Sequence, residues 1–291
     1  MPKQTVWSII NPKAGVKSKS SLPSAIRDVF VSELYDLQIY QTEYAGHATL
    51  LAQKAIDSKV DLVIVVGGDG TINEVAKALL HSEVELAIVA MGSGNGLARH
   101  LGLSLDPVRA IKEIPQLQLN AIDVCFLNES PFLCTAGVGF DAHIAHVFAQ
   151  LDSRGFISYV KSVFKSYFTY RPAEYTFHNE AGARTENLYL LSIANANQWG
   201  NNVFISPKST INDGAFEVCL LKPFSKFAAL RLARHLFRGT IDNYRSYESY
   251  STTGLKIENK GEIQIHLDGE PRLVEGNLFF SIKEQALRVR C

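Results

Sequence analysis

The sequence predicts an α/β N-terminal domain, with a parallel sheet and helices on both faces, followed by a β-rich, sandwich-like C-terminal domain. Three observations carry this expectation. Strand and helix patterns alternate four times over the first hundred residues, the signature of a parallel sheet. Beyond Ile114 the rhythm changes to short strands with few helices. The hinge of the whole pattern is Asp61 to Leu80, DLVIVVGGDGTINEVAKALL, where a branched aliphatic run empties into glycines that open directly into a helix. Leu62 to Val66 is too short for a buried helix and reads as a strand buried on both faces. Ile72, Val75, Ala76 and Leu79 then recur at helical spacing.

The elements follow in order. Thr5 to Ile10 is the first strand, closed by Asn11, Pro12, Lys13, Ala14 and Gly15. Ser24 to Leu34 reads as a helix, Leu37 to Tyr40 as the second strand and Gly46 to Ser58 as the second helix. After the central strand and its helix, Leu86 to Ala90 is the fourth strand, followed at once by Gly92 to Gly96, GSGNG. Ligands on such sheets gather at the strands' carboxyl ends, so the loops around Asn11, Thr42, Gly68 and Ser93 are expected to converge. The first domain is placed at 1–120 and the second at 121–291, with a return of the last strand to the first domain left open. Strands are expected at Leu117 to Leu127, Pro131 to Ala136, Tyr175 to His178, Leu188 to Asn195 and Ala215 to Leu221. Further ones fall at Leu255 to Ile257, Glu262 to Leu267, Leu278 to Ile282 and Leu287 to Val289. Two helices interrupt them. The first aligns Phe156, Tyr159, Val160, Val163, Tyr167 and Tyr170 on one face, read as core. The second places Arg231, Arg234 and Arg238 opposite Ala229, Leu232, Ala233 and Leu236, read as a solvated face on a packed helix.

The 29 basic and 29 acidic residues cancel, which gives no global signal for nucleic acid. Cys125, Cys134, Cys219 and Cys291 lie far apart, so neither a zinc site nor a disulfide framework is expected. No stretch approaches the ~20 apolar residues of a membrane span, and the N-terminus lacks signal-peptide architecture. The expectation is a cytoplasmic chain, soluble or peripheral to a membrane.

Chemistry concentrates at the glycine loops. A strand, paired glycines and a helix N-terminus form an anion cradle: backbone N–H groups point outward and glycines let a phosphate approach. A cap alone needs one Asp or Thr. The acid between Gly68 and Gly70 adds a carboxylate able to meet a phosphate-bound metal. Two such loops on adjacent βα units suit a nucleoside triphosphate, with Ser93 or Asn95 donating to phosphate oxygens. Both GxGxxG at the central turn and GxxxxGK[ST] are absent, which disfavours a Rossmann dehydrogenase and a P-loop NTPase.

NPKAG at 11–15, TEYAGHA at 42–48, GGDGTINEV at 67–75, GSGN at 92–95, INDG at 211–214 and LDGE at 267–270 occur in one order along nearly the whole chain. In these motifs the sequence resembles the diacylglycerol kinase catalytic-domain family, which includes bacterial lipid kinases and sphingosine kinases. The resemblance implies an ATP-dependent kinase acting on a lipid hydroxyl, such as diacylglycerol or a sphingoid-like lipid, taken from a membrane surface. It implies contacts to ATP from Asn11, Thr42, Gly68, Asp69, Gly70, Thr71, Ile72, Asn73, Glu74 and Ser93. Asp69 would help to organise catalytic Mg2+, and Glu270 would be the general base. A second, structural magnesium would sit on Asp213 and the main-chain oxygens of Thr210 and Ala215. Ala90 and Gly96 depart from many bacterial members, and a small residue after Gly-Asn looks more like the sphingosine kinase branch. An NAD kinase relative also carries the GGDGT turn, and a silent ATP-binding regulatory module is the non-enzymatic alternative. Edge strands in the second domain leave a homodimer open.

Overall fold

The computed structural model describes residues 3–15, 21–150, 163 and 166–291. Two compact units divide the chain, Met1–Ile122 with Gln285–Cys291, and Asp123–Glu284.

In the first unit, β1 (Gln4–Ile10), β2 (Tyr35–Gln41), β3 (Leu62–Gly67) and β4 (Glu85–Ala90) run parallel in the order β2-β1-β3-β4. The crossovers contain α1 (Leu22–Val29), α2 (His47–Asp57) and α3 (Asp69–Ala78), while α4 (Gly96–His100) and α5 (Pro107–Glu113) follow β4. The aliphatic run of β3 explains its central place. Leu62, Ile64 and Val66 share a core with Leu22 and Ile26 of α1 and Ala110 and Ile111 of α5. Val63 and Val65 are equally inaccessible and, by strand alternation, face the other side, where α3 packs on β3 and α2 on α3. Burying each such side chain is worth about 1.5–3 kcal/mol. Register then fixes the functional edge: Ile10 lies opposite Val66 and Gly67 opposite Ala90, so the strands' carboxyl ends align. Val289 near the chain's end pairs parallel with Leu86, flanked by the ion pairs Arg288 to Glu83 and Arg290 to Glu85.

The second unit is a sandwich. One sheet is antiparallel in the order β12-β11-β10-β7-β14-β15, formed by Tyr247–Thr252, Phe216–Leu221, Leu190–Ala194, Thr135–Gly139, Glu262–Leu267 and Glu270–Glu275. The facing layer contains β8 (Ala173–Asn179), β9 (Gly182–Leu188), β13 (Gly254–Ile257) and β16 (Leu278–Arg290), beside β5 (Leu119–Leu127) and β6 (Ser130–Phe132). Their inner faces interdigitate through Val138, Leu191, Val218, Ile265 and Leu267 on one side and Phe177, Ile257, Leu278 and Phe280 on the other. Helices α6 (Phe140–Ala149), packed on β14 and β15, and α7 (Ala229–Arg238) attach to this unit.

The α/β and sandwich classes are those expected, and several elements correct the sequence reading. The strand expected at Pro131 to Ala136 is split into β6 and β7. The separate strands at Leu278 to Ile282 and Leu287 to Val289 are one 13-residue strand, whose polar stretch contains Gln285 at φ 49°. Three strands were not anticipated. All are sheet edges: β9, GARTENL, needs no apolar face, β12, YESYST, is mostly polar and pairs on one side only, and β15 tolerates Pro271 because an edge strand can spare a donor. Helix α6 was also missed: Phe140, Ile144, Val147 and Phe148 share one face, but Ala142, Ala145 and Ala149 on the opposite side leave little contrast between the two. The aromatic helix expected over 156–170 lies mostly outside the described residues; 166–169 are helical, and Tyr167 and Tyr170 are partly buried against Tyr189.

Candidate active site

The first unit brings its glycine loops into direct contact. Gly68 caps α3, and Asp69 is the helix's first residue. The Asp69 carboxylate leaves its own loop: Oδ2 accepts from Asn95 N–H at 2.9 Å and Oδ1 from Gly96 N–H at 3.0 Å. This acid therefore ties GGDGT to GSGN at the start of α4. Close approach requires glycine here. A Cβ on Gly92 would lie 2.8 Å from Asn95 Oδ1 and 3.0 Å from Gly68 Cα, and one on Gly15 would lie 2.1 Å from the Met91 carbonyl oxygen. Arg99 braces the second loop by donating from Nε to the Gly94 carbonyl at 3.0 Å.

Asn11 joins the same group. Its N–H donates to the Val66 carbonyl at 2.9 Å, and its Nδ2 donates to Thr71 Oγ1 at 2.8 Å. Thr42 is buried, with its N–H on the Ile10 carbonyl at 2.9 Å, and Ser93 is exposed at the tip of the second loop. Ile72 packs into the core and Glu74 serves α2, accepting from Gly46 N–H at 3.0 Å and Ala48 N–H at 3.2 Å. Within the GGDGTINEV and GSGN segments, two buried polar atoms have no hydrogen-bond partner, Nδ2 of Asn73 and Oδ1 of Asn95. Orphaned groups of this kind are costly, and a bound ligand is one way to satisfy them.

The remaining motif residues lie in the second unit. LDGE forms the β14–β15 hairpin, with Leu267 paired to Glu270 across two loop residues, Asp268 at φ 52° and Gly269 at φ 81°. Positive φ at both positions defines a type I′ turn, for which Asp-Gly is suited. Asp268 then staples the turn to the β6–β7 connection by accepting from Leu133, Cys134 and Thr135 N–H groups at 2.9, 2.7 and 3.1 Å. Glu270, at the start of β15, is exposed.

Beneath this turn is a pair that motif reading missed. His266, only 3% exposed, accepts from Gly269 N–H through Nδ1 at 3.3 Å, which places its proton on Nε2, facing Asp141 Oδ2 at 3.2 Å. Gly137 makes room for the acid, because a Cβ there would lie 2.6 Å from Asp141 Oδ2. The available signal was strand alternation. Ile265 and Leu267 enter the sandwich core, so His266 faces the other side, which α6 covers.

Asp213 sits in a turn of its own, accepting from Thr210 Oγ1 at 2.6 Å and Ala215 N–H at 3.2 Å. The adjoining Gly214 N–H donates at 2.7 Å to Asp123, a carboxylate 1% exposed that sequence reasoning overlooked. Magnesium takes oxygen ligands, keeps several waters and needs only one or two carboxylates. Asp213 fits one carboxylate of such a set, since an oxygen that accepts one hydrogen bond can still meet a cation, and Asp69 places carboxylate oxygens between the two glycine loops. Among the described residues, no three His, Cys, Asp or Glu side chains gather as a metal cluster. Thiol chemistry at Cys125 and Cys219 is disfavoured, because burial pushes the first up and the second to about 12.

The profile described as diacylglycerol kinase catalytic domain matches residues 5–127, and that described as YegS C-terminal NAD kinase beta sandwich-like domain matches 134–291. The chain belongs to the diacylglycerol kinase catalytic-domain family. Among similar members is a Bacillus subtilis protein named diacylglycerol kinase, 27% identical over 267 residues, which cover 90% of this chain and 88% of that protein. A Chromohalobacter salexigens protein named probable lipid kinase YegS-like is 26% identical over 275 residues, covering 91% and 86%. The crystal structure of a Bacillus anthracis diacylglycerol kinase superposes with a TM-score of 0.72 at 21% identity, covering 99% of this chain and 96% of that one. At that identity the superposition speaks for the fold alone.

Proposed function

We propose that the protein is an ATP-dependent lipid kinase that transfers the γ-phosphoryl group of ATP to a hydroxyl of diacylglycerol or a sphingoid-like lipid. One observation carries this reading: the Asp69 carboxylate locks two glycine loops into a single cradle at the sheet's carboxyl edge. The names of the similar proteins support the lipid acceptor. Asn11, Thr42, Ser93 and the start of α3 would hold the nucleotide, with the unpaired Asn73 Nδ2 supplying a donor to it. Magnesium, held at Asp69, would neutralise charge on the phosphates. The Glu270 carboxylate would accept the hydroxyl proton as the acceptor oxygen bonds to phosphorus and the bond to ADP breaks. Asp268 would position that base by fixing its turn. Asp213, with the Thr210 and Ala215 main-chain oxygens, would hold a structural magnesium. Among the described residues no helix is long and apolar enough to cross a membrane, so the acceptor would be reached by peripheral contact.

Purified protein supplied with ATP, magnesium and a panel of lipids should yield a phosphorylated lipid identified by mass. A second reading, phosphorylation of NAD, is favoured by the NAD kinase-like description of the sandwich profile. Formation of NADP with no lipid product would overturn the lipid reading.

A further inference from the structure

Helix α7 contains a surface that the arginine pattern alone did not disclose. Its inner side docks through Leu232 and Leu236 beside Leu221 and Tyr244. Its outer side is not simply a solvated basic face. Phe227, in the turn just before the helix, is 99% exposed, Leu230 82% and Phe237 51%. Arg231, Arg234 and Arg238 are exposed with them. Positions 227, 230, 231, 234, 237 and 238 share one helical face, so the apolar groups and cations are interleaved.

Exposing three large apolar side chains in one strip is costly unless the strip is covered. The charge identifies what covers it. No Asp or Glu occurs between Glu217 and Asp242, although the whole chain is neutral, and Asp242 is paired with Lys208. A two-fold contact with a second copy would set arginines against arginines. An anionic bilayer instead offers phosphates to the guanidinium groups and an acyl boundary to Phe227, Leu230 and Phe237. We propose that the outer face of Ala229–Arg238, with Phe227, is the membrane-docking surface, selective for anionic phospholipid. The proposal deepens the lipid-kinase reading, and docking can be measured without nucleotide.

The test is co-sedimentation of the full chain with phosphatidylcholine vesicles, with and without phosphatidylglycerol. Wild-type protein should bind the anionic vesicles, bind neutral ones weakly and release as salt rises. Replacing Arg231, Arg234 and Arg238 together by Gln should reduce anionic partition by on the order of a hundredfold, about fivefold for each cation. Phe227→Ser with Leu230→Ser should reduce it by on the order of a hundredfold at constant charge. These side chains lie outside the core, so an unchanged melting temperature verifies that both variants are folded. Equal binding by the arginine variant, or no wild-type binding to anionic vesicles, would overturn the proposal. So would a dimer that the Phe227→Ser, Leu230→Ser variant dissolves, since that assigns the face to a second copy. Vesicle binding by a protein that phosphorylates no lipid would sink the kinase reading and leave the docking surface standing.

Discussion

Asp69 and Asp268 both precede glycine, both direct their carboxylates at backbone N–H groups, and they organise their surroundings differently. Asp69 bridges two loops, so the acid that assembles the cradle is also part of it. Asp268 is spent on Leu133, Cys134 and Thr135, and the exposed acid is its neighbour two positions on, Glu270. The first region merges scaffold and chemistry in one side chain. The second separates them, which makes its structural and chemical roles open to separate mutation. A third Asp-Gly, at Asp213, is folded into neither form; its carboxylate closes on Thr210 and Ala215 of its own turn.

The contrast can be broken most severely at Asp268. Asp268→Ala strands three N–H groups in a partly buried connection and should destabilise the protein by about 3 kcal/mol, read from chemical denaturation. A loss below about 1 kcal/mol would mean that the I′ turn holds itself. Asp69→Asn keeps a carbonyl acceptor but turns an amide donor toward a second N–H. Its expected cost is about 2 kcal/mol, together with a weaker dependence of turnover on magnesium; unchanged metal dependence would remove Asp69 from the metal's surroundings. Asn73→Ala should have the smallest effect on folding. Its Nδ2 has no partner to lose, so stability should stay within about 0.5 kcal/mol. The apparent affinity for ATP should instead fall about fivefold, the worth of one hydrogen bond. A large stability loss with unchanged ATP affinity would refute the assignment of that donor to the nucleotide.

Much of the first unit was legible because its signals are local. Leu62 to Val66 is apolar without interruption since both faces of β3 are covered, and the following glycines mark where the backbone must come close to another loop. What joins distant segments was not legible. Nothing in the spacing of Asp141 and His266 announces their contact, which exists because α6 covers the outward face of β14. Nor does the position of Glu74 in the glycine-loop motif announce that its carboxylate serves the start of α2, on a different crossover. The helix at 229–238 shows the same limit. Leu232 and Leu236 docked it correctly from periodicity, whereas Phe227, Leu230 and Phe237 could have packed or protruded; only the position of neighbouring elements decides.

Nucleotide binding and phosphoryl transfer measured on the same sample, for wild type and for Glu270→Gln, distinguish cradle from base most directly. Glu270 lies outside the glycine loops and is exposed, so the variant should bind ATP as wild type does and melt at the same temperature. Its transfer to the lipid hydroxyl should fall by roughly 10²–10⁴, the contribution of a general base. Undiminished transfer by Glu270→Gln, with ATP bound equally well, would contradict the assignment of the base to the hairpin.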